Sequence, residues 1–364
     1  MKKIITGIAA LAMLTSVFAV DFSSRVRTKI SVAGGNIDSG SAYILETPDW
    51  DQKDADLLEV HFAGDKAGAD FKFFANAAGE NSVNIRHLAI WLKPIEMLKF
   101  NVGNISYSTF CEHTDWWKAP SGVGITSLNG WSNFATVEGF GAMMTLNPIN
   151  GLEFNAGVTP GAGGKFMSFG DNMTTTAYGV SVKADLNAFA GIPVVAAASF
   201  RDAGTDQAKI LAIGASYGNE WGGMFYGFIN ARMRFEKSDA FKMAAVTLDN
   251  WFKLSIDKFG VQLALPVTLR LTGLESDPSW MNGRLKVSYA AGAFTPYIYV
   301  ETTALPFNSE LGDKFGIDVK PGVEFSVGSC AVNAAVLVNI NKSWDIGYGK
   351  GVNWSIPVEF SVAF

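Results

Sequence analysis

The sequence predicts an all-β chain: a single antiparallel up-and-down barrel that crosses a membrane with its strands. Three observations carry that prediction. Segments of about ten residues alternate apolar and polar side chains from one end of the chain to the other. The chain is 48% hydrophobic, yet nothing after residue 19 resembles a spanning helix, which needs about 20 apolar residues. Its N-terminus reads as an export leader. A hydrophobic exported chain without spanning helices is either a large soluble β protein or a closed barrel. In lipid, only the barrel shares with the helix the ability to satisfy its own backbone hydrogen bonds.

The leader, residues 1–19, reads "MKKIITGIAALAMLTSVFA". It has a basic start at Lys2 and Lys3, an apolar stretch and a small-residue site at Val17 and Ala19, the pattern of a secretory signal peptide. The apolar run is too short for a membrane anchor. Residues 20–364 then form one domain, since no charged, Pro-rich or Ser-rich linker interrupts them. The formal net charge is −5, and removing Lys2 and Lys3 makes it more acidic, which gives no reason to expect nucleic acid as a partner. The two cysteines, Cys111 and Cys330, are too few for a disulfide scaffold. Aromatic residues make up 13% of the chain, which suits the aromatic girdles of a membrane barrel.

The first strand, "SRVRTKISV", puts Val26, Thr28, Ile30 and Val32 on one face and Arg25, Arg27, Lys29 and Ser31 on the other. A packed soluble core does not explain three inward cations in a row; a water-filled lumen does. The segments "LKFNVGN", "AYGVSVKADL", "RLKVSYA" and "GIDVKPGVEF" alternate in the same way. Residues 88–103 align without gaps on 142–157, coinciding at seven of sixteen positions, each a strand, a turn marked by Pro94 or Pro148, and a strand. Short connections, "GDKAG", "KPIE", "NPING", "NAFAG", "NEWG", "FTP" and "SVGS", alternate with longer ones, chiefly 34–56 and 107–135. The count is eighteen strands, with sixteen as the alternative. The least regular stretch, 236–272, is assigned two strands. The last strand, "NWSIPVEFSVAF", lines up Trp354, Ile356, Val358, Phe360, Val362 and Phe364 on one face.

On the leader and the terminal "VEFSVAF", the chain resembles bacterial outer-membrane β-barrel proteins of the porin type. The leader and the hairpin "WLKPIEMLKFNVGN" also look like those of treponemal (spirochaete) outer-membrane proteins. The resemblance implies residence in the cell outer membrane, contact with its lipid, and passive diffusion of small hydrophilic solutes. It also implies that Phe360, Val362 and Phe364 form the signal read by the barrel-assembly machinery. It further suggests that the long stretch around Glu112, Asp115, Trp116, Trp117 and Lys118 folds into the lumen as a constriction. Rim packing or partner binding by that stretch are the alternatives. Two cysteines and several short outer loops depart from the common enterobacterial porins, so a homo-oligomer is left open, as is a host ligand.

No chemistry is expected. "TPGAGGKF" (159–166) lacks the first Gly and the Ser or Thr of a phosphate-binding loop, and Thr159 and Phe166 stand there instead. His61, His87 and His113 make no metal-ligand spacing with the two cysteines, and His61 beside Glu59 reads as a polar wall. The expected protein therefore has no catalytic, metal or cofactor-binding residue. The pore-lining set is Arg25, Arg27, Lys29, Glu59, Lys72, Lys99, Lys183, Arg232, Arg234, Arg284, Lys286 and Lys320. With Arg270 it holds twelve cations, against seven carboxylates at Glu59, Asp70, Glu153, Asp185, Asp318, Glu324 and Glu359. That excess suggests a weakly anion-selective pore. An adhesin displaying its long loops, and a transporter for apolar ligands, are the other functional readings.

Overall fold

The computed structural model describes residues 21–46, 56–75, 83–104, 107–108, 135–137, 140–159, 177–202, 209–237, 240–265, 267–271, 280–281, 283–302, 305–306, 316–340 and 351–364. These form a closed antiparallel barrel of eighteen strands. In chain order they are β1 Asp21–Asn36, β2 Ser41–Glu46 with Asp56–Ala63, β3 Ala67–Ala75, β4 Val83–Ile95, β5 Leu98–Asn104 and β6 Phe140–Ile149. Next come β7 Leu152–Thr159, β8 Ala177–Asp185, β9 Val194–Asp202, β10 Lys209–Trp221, β11 Phe225–Lys237 and β12 Phe241–Ile256. The circuit is completed by β13 Phe259–Ala264 with Val267–Arg270, β14 Trp280–Met281 with Arg284–Tyr289, β15 Phe294–Thr302 with Leu305–Pro306, β16 Ile317–Val327, β17 Cys330–Ala335 with Leu337–Ile340, and β18 Val352–Ala363. The larger of the two strand counts is therefore the observed one, and 236–272 does hold the two strands β12 and β13.

The seam is made by β18 on β1, with Arg25 opposite Ala363 and Lys29 opposite Glu359. Ser24 and Phe364 exchange two backbone hydrogen bonds, at 3.0 and 2.8 Å, so no edge is left at that rim. Connections at the rim bearing Asp21 and Ala363 run from two residues (96–97) to eight (186–193). Those at the far rim run from three residues (238–240) to thirty-five (105–139). The eight-residue connection contains a helical turn, α1 Leu186–Ala190, capped by the Asp185 side chain and ended by Gly191 in the left-handed region.

Polarity is inverted relative to a soluble protein. Ile213, Ile229, Met233 and Val180 face outward and are exposed, while Asn155, Ser199, Asn230 and Arg232 face inward and are buried. Rings gather on the outer face at both rims. At the short-turn rim Trp221 lies 5.5 Å from Phe225, Phe259 4.8 Å from Tyr289, and Phe294 4.7 Å from Phe325. At the far rim Tyr178, Phe200 and Phe241 follow one another at 6.1 and 6.5 Å. Phe241 and Phe252 sit at opposite ends of β12, and Phe252 stacks on Phe225 of the lower belt. At about 3.4 Å per residue and a tilt near 40°, the belts stand on the order of 25–30 Å apart, the height of a membrane apolar band.

Several local expectations are corrected. Pro94 and Pro148 do not make the turns. Each sits at the end of its strand where the register shifts, and the turns follow at 96–97 and 150–151. "FTP" belongs to β15, whose preceding turn is 290–293. The long connection 34–56 begins as a tight turn at 37–40, and β2 pairs with β1 both before and after residues 47–55. Pro321 and Pro357 lie inside the ladder, where a missing N–H is costly. β17 is interrupted between them at Val336, whose N–H still reaches the Pro321 carbonyl at 2.9 Å. β13 is interrupted at Leu265, and there the outward Asn250 amide replaces the ladder, bonding Leu265 N–H and C=O at 2.8 and 2.7 Å.

Candidate functional site

The candidate site is the inner face of the barrel. On β1 the alternation places Arg25 and Arg27 inward, and Lys29 holds the next register position of that face; Arg25 pairs with Glu59 on β2 and Lys29 with Glu359 on β18. Arg27 Nε stands 4.0 Å from Glu359 Oε1. Carboxylates are therefore interleaved with the cation row. Across β2 and β3, His61 Nδ1 and Asp70 Oδ1 lie 2.7 Å apart, both more than a third exposed. On β4 and β5, Lys99 Nζ sits 4.8 Å from the centre of the Trp91 ring. Trp91 lies flat over Gly68, where a Cβ would overlap the indole, so the glycine is required by the ring's close approach.

The next sector, β6 to β10, is lined by small groups: Gly157, Gly179, Ser181, Ala197, Ser199, Ala212 and Ser216. Near the short-turn rim Thr145 donates to Asn155 at 2.7 Å, Asn155 donates to Glu153 at 2.9 Å, and Lys183 stands 3.8 Å from Glu153. A short antiparallel pair, Tyr107–Ser108 with Ala135–Val137, lies at the two ends of the long connection. The Ala135–Val137 backbone comes within 8 Å of β7, β8 and β9. It lies on their inner face: Val158, Tyr178 and Val180 on the outer face stay 38–47% exposed, while Gly157, Gly179 and Ser181 are buried. Glycine and serine walls leave room for such a segment. Glu112, Asp115, Trp116, Trp117, Lys118 and Cys111 lie outside the described residues.

The third sector, β12 to β17, is large and charged; its deep residues are dry, while Glu324, toward the short-turn rim, keeps 32% of its side chain exposed. Arg284 Nε donates to Glu301 Oε1 at 3.0 Å, and the Tyr299 hydroxyl donates to Glu301 Oε2 at 2.8 Å. Lys286 Nζ donates to Glu324 at 2.7 Å and lies 4.9 Å from the Tyr297 ring centre, while the Tyr297 hydroxyl donates to Asn333 at 2.9 Å. Asn339 donates to Asp318. Arg284, Tyr299, Asp318 and Lys320 are at most 1% exposed. Trp251, Ala264, Ala335 and Leu337 pack with the two tyrosines, and the Tyr226 ring lies 5.4 Å from Trp251, tilted at 55°. Gly322 lies beneath Tyr297 as Gly68 does beneath Trp91.

The predicted lining residues thus divide. Arg27, Glu59, Lys99, Lys183 and Arg234 point inward and are partly exposed, and Arg25 is exposed. Arg232, Arg284, Lys286 and Lys320 point inward but are buried. Lys29, Lys72 and Arg270 hold inward register positions on β1, β3 and β13, and their side chains lie outside the described ones. Sequence reasoning passed over Tyr297, Tyr299 and Glu301, although "TPYIYVET" alternates plainly enough to put all three on one face.

The twin hairpins of the internal echo share a cleft of about 710 Å³ at the short-turn rim, between Ile95–Met97 and Asn147–Glu153, with Lys183 and Asp185 on its third side. Lys93, 2.7 Å from Glu96, holds that exposed carboxyl below the usual carboxylate range through a hydrogen bond and its charge. Cys330 opens β17 just past its turn, a free and exposed thiol. Among the described residues no cluster of His, Cys, Asp and Glu could hold a metal.

No family model matches the sequence, and no curated protein matches it. Solved structures do. The chain is similar to Pseudomonas aeruginosa OccK9 (OpdG), at 10% identity over 95% of this chain and 98% of that one, with a TM-score of 0.55. It is similar to OccK10 (OpdN) of the same organism at 7% identity, 95% and 99% coverage and a TM-score of 0.57. It is also similar to OccK1 (OpdK), at 8%, 95%, 98% and 0.56. One OpdK structure contains vanillate, and OccK2 (OpdF) has been solved with glucuronate. A likeness at such identities, spanning nearly the whole of both chains, shows the fold: the barrel architecture shared with the outer membrane protein OpdK.

Proposed function

We propose that this protein is an outer-membrane porin that lets small hydrophilic solutes diffuse through its barrel. The observation that carries this reading is the inverted polarity of a closed eighteen-stranded wall: apolar and ring-belted outside, charged and partly water-exposed inside. Barrels of that size enclose an aqueous channel rather than filling with side chains alone. Residues 1–19 act as the export leader, and residues 20–364 enter the outer membrane. The leader and the 91–104 hairpin favour a place among treponemal outer-membrane proteins. The inward Ala135–Val137 segment favours a constriction built by the long connection over rim packing. Vanillate and glucuronate, bound by structural neighbours, are both small organic anions, which agrees with the inward cation excess. Purified protein in planar bilayers should give discrete ohmic conductance steps. A silent bilayer, with protein that still shifts on gels when boiled, would overturn the channel reading and leave the adhesin.

Phe364 is proposed as part of the assembly signal. It faces outward, is 71% exposed, and its backbone closes the seam on Ser24. Phe364→Ser keeps the backbone bonds but removes the apolar contact. Surface levels should fall several-fold while the conductance of the remaining channels stays unchanged. Unaltered surface levels would remove Phe364 from the signal.

A further inference from the structure

We propose that the water-filled path is off-axis: it follows the inner wall of β1 to β5, while β12 to β17 form a dry buttress that solute does not touch. The inference rests on the channel reading above and asks which part of the cross-section conducts. Exposure of an inward side chain means space for water in front of it, so the two walls can be compared at matched depth. Asp70 stands three residues above the short-turn end of β3, and its side chain is 36% exposed. Tyr297 stands three residues above that end of β15, and Lys286 the same distance on β14, at 5% and 9% exposure, while Glu324, at the same height on β16, opens to the mouth with 32% of its side chain exposed. Deeper in, Arg27 keeps 16% of its side chain open, while Arg284 and Lys320 keep 1% and 0%. The two walls therefore part below the mouth, where Arg27 stays open and Arg284 and Lys320 are sealed.

The buttress is self-sufficient. Its charges answer one another through the Arg284–Glu301–Tyr299 and Lys286–Glu324 contacts, and its rings fill the space between strands. The Arg284–Glu301 pair is sealed from water with its tyrosine, whereas the Lys286–Glu324 pair meets the mouth at Glu324. The wall of β7 to β9 is taken by the Ala135–Val137 segment. That leaves β1 to β5, where Arg25, Arg27 and Lys99 stand with Glu59, His61 and Asp70. The charge a permeating solute meets is therefore set by these side chains, and the buried cations Arg232, Arg284, Lys286 and Lys320 contribute little to selectivity.

Single cysteines test this in a background with Cys111→Ala and Cys330→Ala. Asp70→Cys and Lys99→Cys mark the path; Lys286→Cys and the near-isosteric Ala335→Cys mark the buttress. An anionic methanethiosulfonate, added to open channels in a bilayer, should cut the conductance of the two path variants stepwise, by roughly a third for a bulky charge in a narrow lumen. It should leave the buttress variants unchanged. Mass spectrometry of the same reagent on folded protein in liposomes reports labelling without requiring current, and should give the same division. Labelling or block at Ala335→Cys as fast as at Lys99→Cys would overturn the off-axis path, as would protected path positions. Loss of conductance in the unmodified cysteine-free protein would count against the channel reading alone, because the labelling pattern would still show which wall is wet.

Discussion

Changing Arg25, Arg27 and Lys29 together to Gln should shift the channel's selectivity toward cations. The three positions repeat every second residue on β1, about 6.6 Å apart along the wall. Their register partners are acidic: Glu59 faces Arg25, and Glu359 faces Lys29 while lying 4.0 Å from Arg27. In the wild type the cations outnumber the carboxylates on this wall by a narrow margin. Remove them and Glu59 and Glu359 remain, so the local field changes sign rather than merely fading. The permeability ratio should move several-fold at about 0.1 M salt, where the Debye length is near 10 Å, and much less at 1 M, where it is near 3 Å. Reversal potentials across a salt gradient decide the matter. The same substitution at Lys320, fully buried in the buttress, should barely move them. A cation-preferring wild type would show that the row on β1 is already neutralised by its carboxylates.

Arg284→Met should cost about 3–5 kcal/mol of stability, the largest loss expected of any side-chain truncation in the wall. Arg284 is 1% exposed and its guanidinium answers Glu301, itself 3% exposed. Without the arginine, Glu301 keeps the Tyr299 hydroxyl but loses the guanidinium that answers its buried charge. The temperature or urea concentration at which the folded gel band disappears should fall sharply. Adding Glu301→Gln should restore most of the loss, since the pair then becomes neutral. Arg27→Gln, which breaks a looser and more exposed contact, should change stability by less than about 1 kcal/mol. A single Arg284→Met variant as stable as wild type would mean that Glu301 reaches water.

What the sequence determined by itself is local. Alternation needs only the two-residue period of a strand, so the inward cations of β1 and the outward apolar row of β18 could be read residue by residue. The rings at the strand ends and the turn-sized gaps between runs belong to the same kind of information. Strand count also followed, because each run is about as long as a membrane is thick. The tertiary structure alone decided everything that depends on a neighbour far along the chain. Arg25 and Arg284 look alike in sequence, each an inward cation in an alternating run. Arg25 stays open to water, whereas Arg284 is sealed by a carboxylate seventeen residues on, a tyrosine beside it and an apolar layer from five strands. Bulges moved faces as well. After Ala244 the outward parity of β12 reverses, so Phe241 and Phe252 share one face although they differ by an odd number of residues. Burial of a charge depends on which partners closure brings opposite it, and closure is a property of the whole circuit of strands.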